Sequence, residues 1–245
     1  MRDRVKVDLL VKHKIKATSF EIFAFRAIDR PDLCQEYVIG HYNVLKDYGV
    51  TSVKSSNPVW TTNPNAYCVV AMRDNIMMGG IRIHKAHENY TLPMEDGVSK
   101  DDPHVSIEIT RNIALGCGEQ CGLWNSQKIR GYGISWVLVN ASISILNQLG
   151  IKKLYGLASD YSMFLFTPAG FVIQRQFGKN GDFDYPTSEY IARVVLIEDC
   201  DLLPTAGDKE REFVQLLRND PGLQRQIVVN QLKLGLTFNL RLFHV

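Results

Sequence analysis

Polar and apolar positions change their spacing several times along the chain, and each change marks an element. Near the start Val5, Val7, Leu9 and Val11 share one face, with Lys6, Asp8 and Lys12 among the others, which predicts a strand. The apolar run over 21–28 predicts a buried strand. Asp29 and Pro31 then open a helix, with Leu33, Tyr37, Val38, His41, Val44, Leu45 and Tyr48 on its apolar face and Gly49 to end it. After a polar loop over 50–65, the stretches 66–72 and 76–84 form a hairpin pattern around Asp74-Asn75. The segment 85–103 is polar, 105–115 reads as a long strand, and 116–130 as a loop.

A helix is expected from about Gly131 to Leu149, with Ile134, Val137, Leu138, Ala141, Ile145 and Leu149 on its apolar face and Gly150 as its stop. Strands at 151–158, 171–177 and 191–198 and a short helix at 161–166 follow. Beyond Pro204 come a helix at 208–218, a second started by Asp220-Pro221 and running to about Gln231, and a terminal strand in which Leu234, Leu236, Phe238, Leu240 and Leu242 alternate with other residues. Strand–helix–strand over 105–158 predicts one parallel crossover, and the hairpins predict antiparallel pairing elsewhere.

The 245 residues, 45% of them apolar, suffice for a sizeable core, and no apolar run is long enough to span a bilayer. The net charge of +2 averages a basic start, with six Lys or Arg against two Asp over residues 1–19, and a slightly acidic remainder. No aromatic side chains interleave those cations, which favours a solvated strand over a nucleic-acid surface. The cluster Leu9-Leu10-Val11 is too short for a signal peptide, and five scattered cysteines fit reduced thiols in a cytoplasmic setting.

The segment Lys128-Ile-Arg-Gly-Tyr-Gly-Ile134 carries the most chemistry. Glycines at a helix start let a ligand approach the backbone, and the free N–H groups there favour phosphate. Lys128 and Arg130 add charge, although a loop that only needs room to turn would look similar. This segment resembles the pyrophosphate loop of the GNAT acyltransferases, whose pattern is Gln/Arg-x-x-Gly-x-Gly/Ala. Gly150-Ile-Lys-Lys-Leu-Tyr155 is similar to that family's fifth strand, and Leu165-Phe-Thr-Pro-Ala-Gly-Phe171 to its Leu-Tyr-x-x-x-Gly-Phe ending. Element order over 21–198 fits as well.

Gly79-Gly-Ile-Arg-Ile-His84 and Glu108-Ile-Thr-Arg111 further resemble the autoinducer synthases and the related N-acyl amino acid synthases. Lys128 stands where Gln or Arg is usual, and Phe166 where many GNAT enzymes carry a Tyr that protonates the departing thiolate; a phenyl ring cannot. Trp60-Thr-Thr-Asn-Pro-Asn65 stands in place of the lactone synthases' N-terminal pattern, so the resemblance does not extend to S-adenosylmethionine as a substrate.

The resemblance implies an α/β GNAT-like fold with a mixed, mostly antiparallel sheet flanked by helices over 1–204 and a C-terminal helix–helix–strand extension over 205–245. It implies N-acyl transfer from acyl-CoA, acetyl-CoA or the phosphopantetheine of acyl carrier protein to a primary amine such as an amino acid. Lys128, Arg130, Gly131, Tyr132 and Gly133 would hold the donor. Glu108 would be the general base, and Arg82 and Arg111 would orient the acceptor or carrier. On a regular strand 108 and 111 face opposite ways, so both reach the site only across a bulge. A small-molecule acetyltransferase and a catalytically silent GNAT-like binding module are the competing readings. Cys117 and Cys121 lack a matching second pair, so no metal is expected. His84, which shares the Arg82 face, is a second base candidate, while His87 and His104 fit polar loops. Phe23, Phe25, Phe164 and Phe171 are core or acyl-channel residues. The alternating terminal strand offers an edge to a second copy.

Overall fold

The structure, a computed structural model, describes residues 18–47 and 58–242. The strand expected over 5–11 and the helix stop at Gly49 lie outside them. Apolar and aromatic side chains at alternate positions form β1 (Thr18–Arg26), with Phe20, Ile22 and Ala24 turned into one core. Pro31 begins α1 (Pro31–Asp47), which buries Leu33, Cys34, Tyr37 and His41. β2 (Ala66–Arg73) and β3 (Ile76–Lys85) make the expected hairpin; Asp74 and Asn75 turn it with φ of 52° and 60°. Then follow α2 (Pro93–Val98), α3 (His104–Asn112), β4 (Cys117–Asn125), α4 (Ile134–Ser144), α5 (Leu146–Leu149), β5 (Lys153–Ser159) and α6 (Asp160–Phe166). β6 (Val172–Ile173), β7 (Asp182–Asp184), β8 (Ile191–Ile197), α7 (Asp208–Asn219), β9 (Gln224–Val229) and β10 (Leu232–Asn239) complete the order.

These strands form one sheet in the order β6-β8-β5-β4-β3-β2-β1-β10-β9, with β7 also on β8. β4–β5 and β1–β10 are parallel and the other pairs antiparallel. α1, α2 and α3 cover one face; α4, α6 and α7 cover the other.

α4 differs from the amphipathic helix expected of it. Nine of its residues, from Ile134 to Ser144, are buried and distributed around the whole circumference. A helix that is apolar all round must be enclosed, and the chain's last elements enclose this one. Trp136 stacks on Phe213 of α7 with ring centres 4.7 Å apart and donates to the Glu210 carboxylate at 2.8 Å. Leu234, Leu236 and Phe238 of β10 join the same core.

Several sequence expectations need correction: the strand expected over 171–177 shortens to β6, the terminal strand offers no edge because β10 lies between β1 and β9, and three larger differences follow. Residues 105–115 contain a helix, α3, and not a strand. Val105, Ile109 and Asn112 recur at helical spacing and are buried, whereas Ile107, the residue that made the pattern look alternating, is exposed. Asp102 starts this helix by accepting the His104 N–H at 3.0 Å. The strand of the parallel crossover is instead β4, within the supposed loop 116–130; Gly118 lies against the His84 carbonyl, where a Cβ would come within 2.6 Å. Finally, 224–229 is a strand and not part of a second helix. Ile227, Val228 and Val229 favour extended backbone, and Asn230 and Gln231, both at positive φ, turn the chain into β10. The C-terminal elements are thus helix–strand–strand. Among the described residues no helix is long and apolar enough to cross a membrane.

Candidate active site

The site begins where two parallel strands part. β4 and β5 pair from Cys117 opposite Lys153 to Gln120 opposite Gly156, and no further. Immediately beyond, β4 bulges: Arg82 of β3 is opposite Cys121, but Gly80 is opposite Trp124, so β4 spends one residue more than β3. Gly122 takes up that residue with φ +63°. Nothing larger fits, because a Cβ there would lie 2.8 Å from Arg82 Nε and 3.1 Å from the Tyr37 hydroxyl. Tyr37 donates to the Gly122 carbonyl and so ties α1 to the bulge.

Arg82 and His84, two residues apart on β3, share the sheet face covered by α1 and α2. Cys121 and Glu119 of β4 lie directly opposite them on the same face. Arg82, His84 and Glu119 are each at most 2% exposed. Arg82 places its guanidinium 4.5 Å from the Trp60 ring centre and 5.8 Å from that of Tyr37, a cation–π box that holds the charge at the sheet surface. Burial pushes the Glu119 carboxyl up to about 8, against the opposing pull of the Met94 N–H, which donates to it at 2.8 Å, and of Arg82. Burial and then Arg82 hold His84 well below its ordinary value, so its imidazole is neutral and weakly basic. Its Nε2 is buried without a hydrogen-bond partner. Tyr185 lies near this group; burial first, then the Glu119 and Cys121 charges, push it up to about 12, so it stays protonated.

Arg82 and His84 open onto a cleft of about 690 Å³. Trp60, Asn63 and Tyr90 form its walls, and Glu95, Asp96 and Lys100 stand at its edge. The cleft therefore carries a guanidinium in its floor and carboxylates at its rim.

At the far end of β4, Ser126–Gly133 leads into α4. Gly131 and Gly133 have φ of +82° and +71°, and Gly133 is the residue that caps the helix. The N–H groups of Gly131, Gly133 and Ile134 have no partner among the described residues. Lys128 and Arg130 are exposed, and neither forms an ion pair among the described residues. Unbonded N–H groups, the positive helix end and two mobile cations make a surface suited to phosphate.

The five residues from Lys128 to Gly133 named from sequence thus converge on one loop, and Arg82 lies in the cleft floor. Glu108 and Arg111 do not join them. They sit on α3 beside His104, Ile107, Gln176 and Phe177, around a separate hollow. Glu108 accepts from Asn112 one turn along its own helix at 2.8 Å, and Arg111 is exposed. His87 flanks a turn, bridged to Tyr90, and His104 is the first residue of α3, where it bonds Asp102 at 2.9 Å. Phe25 and Phe171 are core, Phe23 is half-buried and Phe164 is exposed. Sequence reasoning missed Glu119, Trp60 as a wall of the cleft, and Tyr185. The clue to Glu119 was positional: a phosphate loop that opens a crossover helix follows its strand at once, and a strand ending at 115 would have left some fifteen intervening residues, an uncommon loop.

The overall fold of this chain is shared with solved structures. The FeeM N-acyl amino acid synthase from uncultured soil microbes superposes with a TM-score of 0.59 at 13% identity, covering 79% of this chain and 97% of that one. The chain has a GNAT-like fold. The CoA-dependent acyl-homoserine lactone synthase BjaI, solved with SAM and isopentyl-CoA, superposes with a TM-score of 0.51 at 13% identity, covering 82% of this chain and 90% of that one. No family model and no curated protein matches the sequence itself. Among the described residues, no group of three or more His, Cys, Asp or Glu side chains is placed to hold a metal ion.

Proposed function

We propose that the protein is an N-acyltransferase that moves an acyl group from a phosphopantetheine thioester, acyl-CoA or acyl carrier protein, to the amine of a small zwitterion such as an amino acid. The observation that carries this reading is the gap between β4 and β5. It opens just past Glu119, beside the cleft, and the phosphate-suited loop stands at the end of the same strand. A pantetheine arm laid along the gap brings a thioester to Glu119 while its phosphates meet Lys128, Arg130 and the N–H groups of Gly131 to Gly133. Of the two synthases that share the fold, one is an N-acyl amino acid synthase and the other is CoA-dependent and was solved with SAM and isopentyl-CoA, which supports the reading.

In this reading the acceptor carboxylate is drawn to Arg82 and its amine faces the acidic side of the cleft. The acceptor's ammonium first gives one proton to solvent; the free amine nitrogen then attacks the thioester carbonyl, and Glu119 takes the second proton, which the nitrogen sheds as the C–N bond forms. The C–S bond then breaks, and the protonated Glu119 returns that proton to sulfur. Its value of about 8 is close to a thiol's ordinary ~8.5, so one carboxyl can serve in both directions. This assigns the acid role left open by Phe166, and it assigns the base role to Glu119 in preference to Glu108. Arg111, exposed on α3 beside the second hollow, has no part in it.

The test is thiol release from a panel of acyl-CoAs and acyl carrier proteins, each offered amino acids and simple amines. Turnover that needs both donor and amine supports the proposal. Tight CoA binding without turnover for any pair would overturn it in favour of a silent binding module. The mass of any ligand that co-purifies identifies the acyl group.

A further inference from the structure

The loop that faces the gap is gripped from behind by a hairpin nearly a hundred residues further along the chain. Asn230, at the β9–β10 turn, donates its Nδ2–H to the Gly131 carbonyl at 2.8 Å. The side chain of Val229 comes within 3.0 Å of where a Cβ on Gly133 would be. Between these two, the Tyr132 ring packs edge-on against Phe20 of β1 at 6.0 Å, and Phe20 is paired with Leu236 of β10. Three consecutive loop residues are therefore each held by the β1–β10–β9 end of the sheet. The turn that supplies Asn230 is itself tight, with φ of 48° and 67° at Asn230 and Gln231.

A loop with two glycines is costly to order, because each glycine has more backbone freedom to lose. Left alone it would sample many shapes, and an anion would have to select one. The hairpin removes that freedom on one side and leaves the N–H groups of Gly131, Gly133 and Ile134 on the other. A carbonyl bonded to Asn230 also cannot swing toward an incoming phosphate, which it would repel.

We propose that the C-terminal hairpin is part of the donor site, with Asn230 as a positioning residue that presets the loop for the donor's phosphates. The inference rests on the phosphate reading given above. It makes the C-terminal elements selective for phosphate-bearing donors, beyond their role of covering α4.

Two probes test it, coenzyme A and phosphate-free pantetheine, with binding measured by calorimetry on the full chain. Asn230→Gly keeps the left-handed turn and removes only the side-chain donor; Asn230→Asp keeps the shape and replaces the donor with a repelling acceptor. Coenzyme A is expected to weaken about tenfold in Asn230→Gly, which is the loss of one hydrogen bond's worth of ~1.4 kcal/mol, and further in Asn230→Asp. Pantetheine binding should not change. Val229→Ala, which leaves the turn intact, should show the same selectivity at about threefold and serves if the turn variants fail to fold. Equal weakening of both probes, or no weakening of coenzyme A, overturns the inference. A wild-type protein that binds coenzyme A no more tightly than pantetheine overturns the phosphate reading itself before any variant is made.

Discussion

The Lys128–Gly133 loop and the buried group around Arg82, His84 and Glu119 stand at opposite ends of β4, and they are built from different materials. The loop works through main-chain N–H groups and two exposed cations, all within one short stretch of sequence. The cleft is lined by side chains from β3, α2 and the turn bearing Trp60, and Glu119 of β4 is buried beside Arg82 and His84. Water screens the first, so its charges are interchangeable and individually weak. Burial sharpens the second, so each group has a shifted affinity for its proton and little redundancy. Perturbing the cleft should therefore cost far more than perturbing the loop.

Glu119→Gln should produce the largest effect, a fall of about 10²- to 10⁴-fold in kcat/KM, the usual contribution of a general base. Wild-type activity should rise with pH as the carboxyl ionises near 8, and this limb should vanish in the variant. Stability offers an independent check. The folded value lies above the ordinary 4.5, so the folded protein holds this proton more tightly than the unfolded chain. The associated stability is complete below about 4.5 and is lost as pH rises through 8. Between pH 7 and 9 the wild-type melting temperature should fall relative to that of Glu119→Gln. A pH–rate limb that survives the substitution would remove Glu119 from the chemistry.

Arg82→Lys comes next. It keeps a charge but loses the plane that lies over Trp60 and the fork that suits a carboxylate. KM for a zwitterionic acceptor should rise by about tenfold or more, with KM for the donor unchanged. An acceptor lacking the carboxylate should be indifferent to the change; equal losses for both acceptors would place Arg82 in a purely structural role.

The double variant Lys128→Ala with Arg130→Ala should have a smaller effect. Both side chains are exposed, so solvent screening limits each to at most about 1 kcal/mol. Together they should raise KM for acyl-CoA by about three- to tenfold. That difference should disappear in 1 M salt, where the screening length shrinks to ~3 Å, whereas the Glu119→Gln defect should persist.

The same contrast explains what could be read from the sequence. A main-chain site needs a local signal, glycines and cations before a helix, and residues 128–134 display it. The β2–β3 hairpin, α1 and the crossover helix were legible for the same reason, since their patterns are local. The cleft was not legible, because Arg82 and Glu119 meet only through strand register and Trp60 only through the folding of a turn onto β3. β4 itself was hidden. Gly, Glu and Gln are poor strand formers in isolation, yet Cys117–Gln120 is fully buried. Tertiary placement between β3 and β5 overrides its local preference. Alternating Val105, Ile107 and Ile109 imitated a strand nearby and so placed Glu108 on a strand where the structure has α3.

Glu108 supplies the smallest effect and the sharpest control. It has the sequence context of a catalytic carboxylate, Glu-x-Thr-Arg, but it lies on α3, half-buried, with its side chain bonded to Asn112 of the same helix. Removing a carboxylate there, while keeping an amide of equal size, should change stability by no more than about 0.5 kcal/mol. Glu108→Gln should leave kcat, both KM values and the alkaline rise in activity as they are in the wild type. Arg111→Gln, exposed one turn further on, should behave alike. The pair Glu108→Gln and Glu119→Gln therefore isolates position from residue type: the same chemical change is made on two neighbouring elements, one facing the strand gap and one facing away. If Glu108→Gln instead slowed transfer a hundredfold while Glu119→Gln did not, the base would lie on α3. The acceptor would then have to enter through the hollow beside Phe177, and not through the cleft above Arg82.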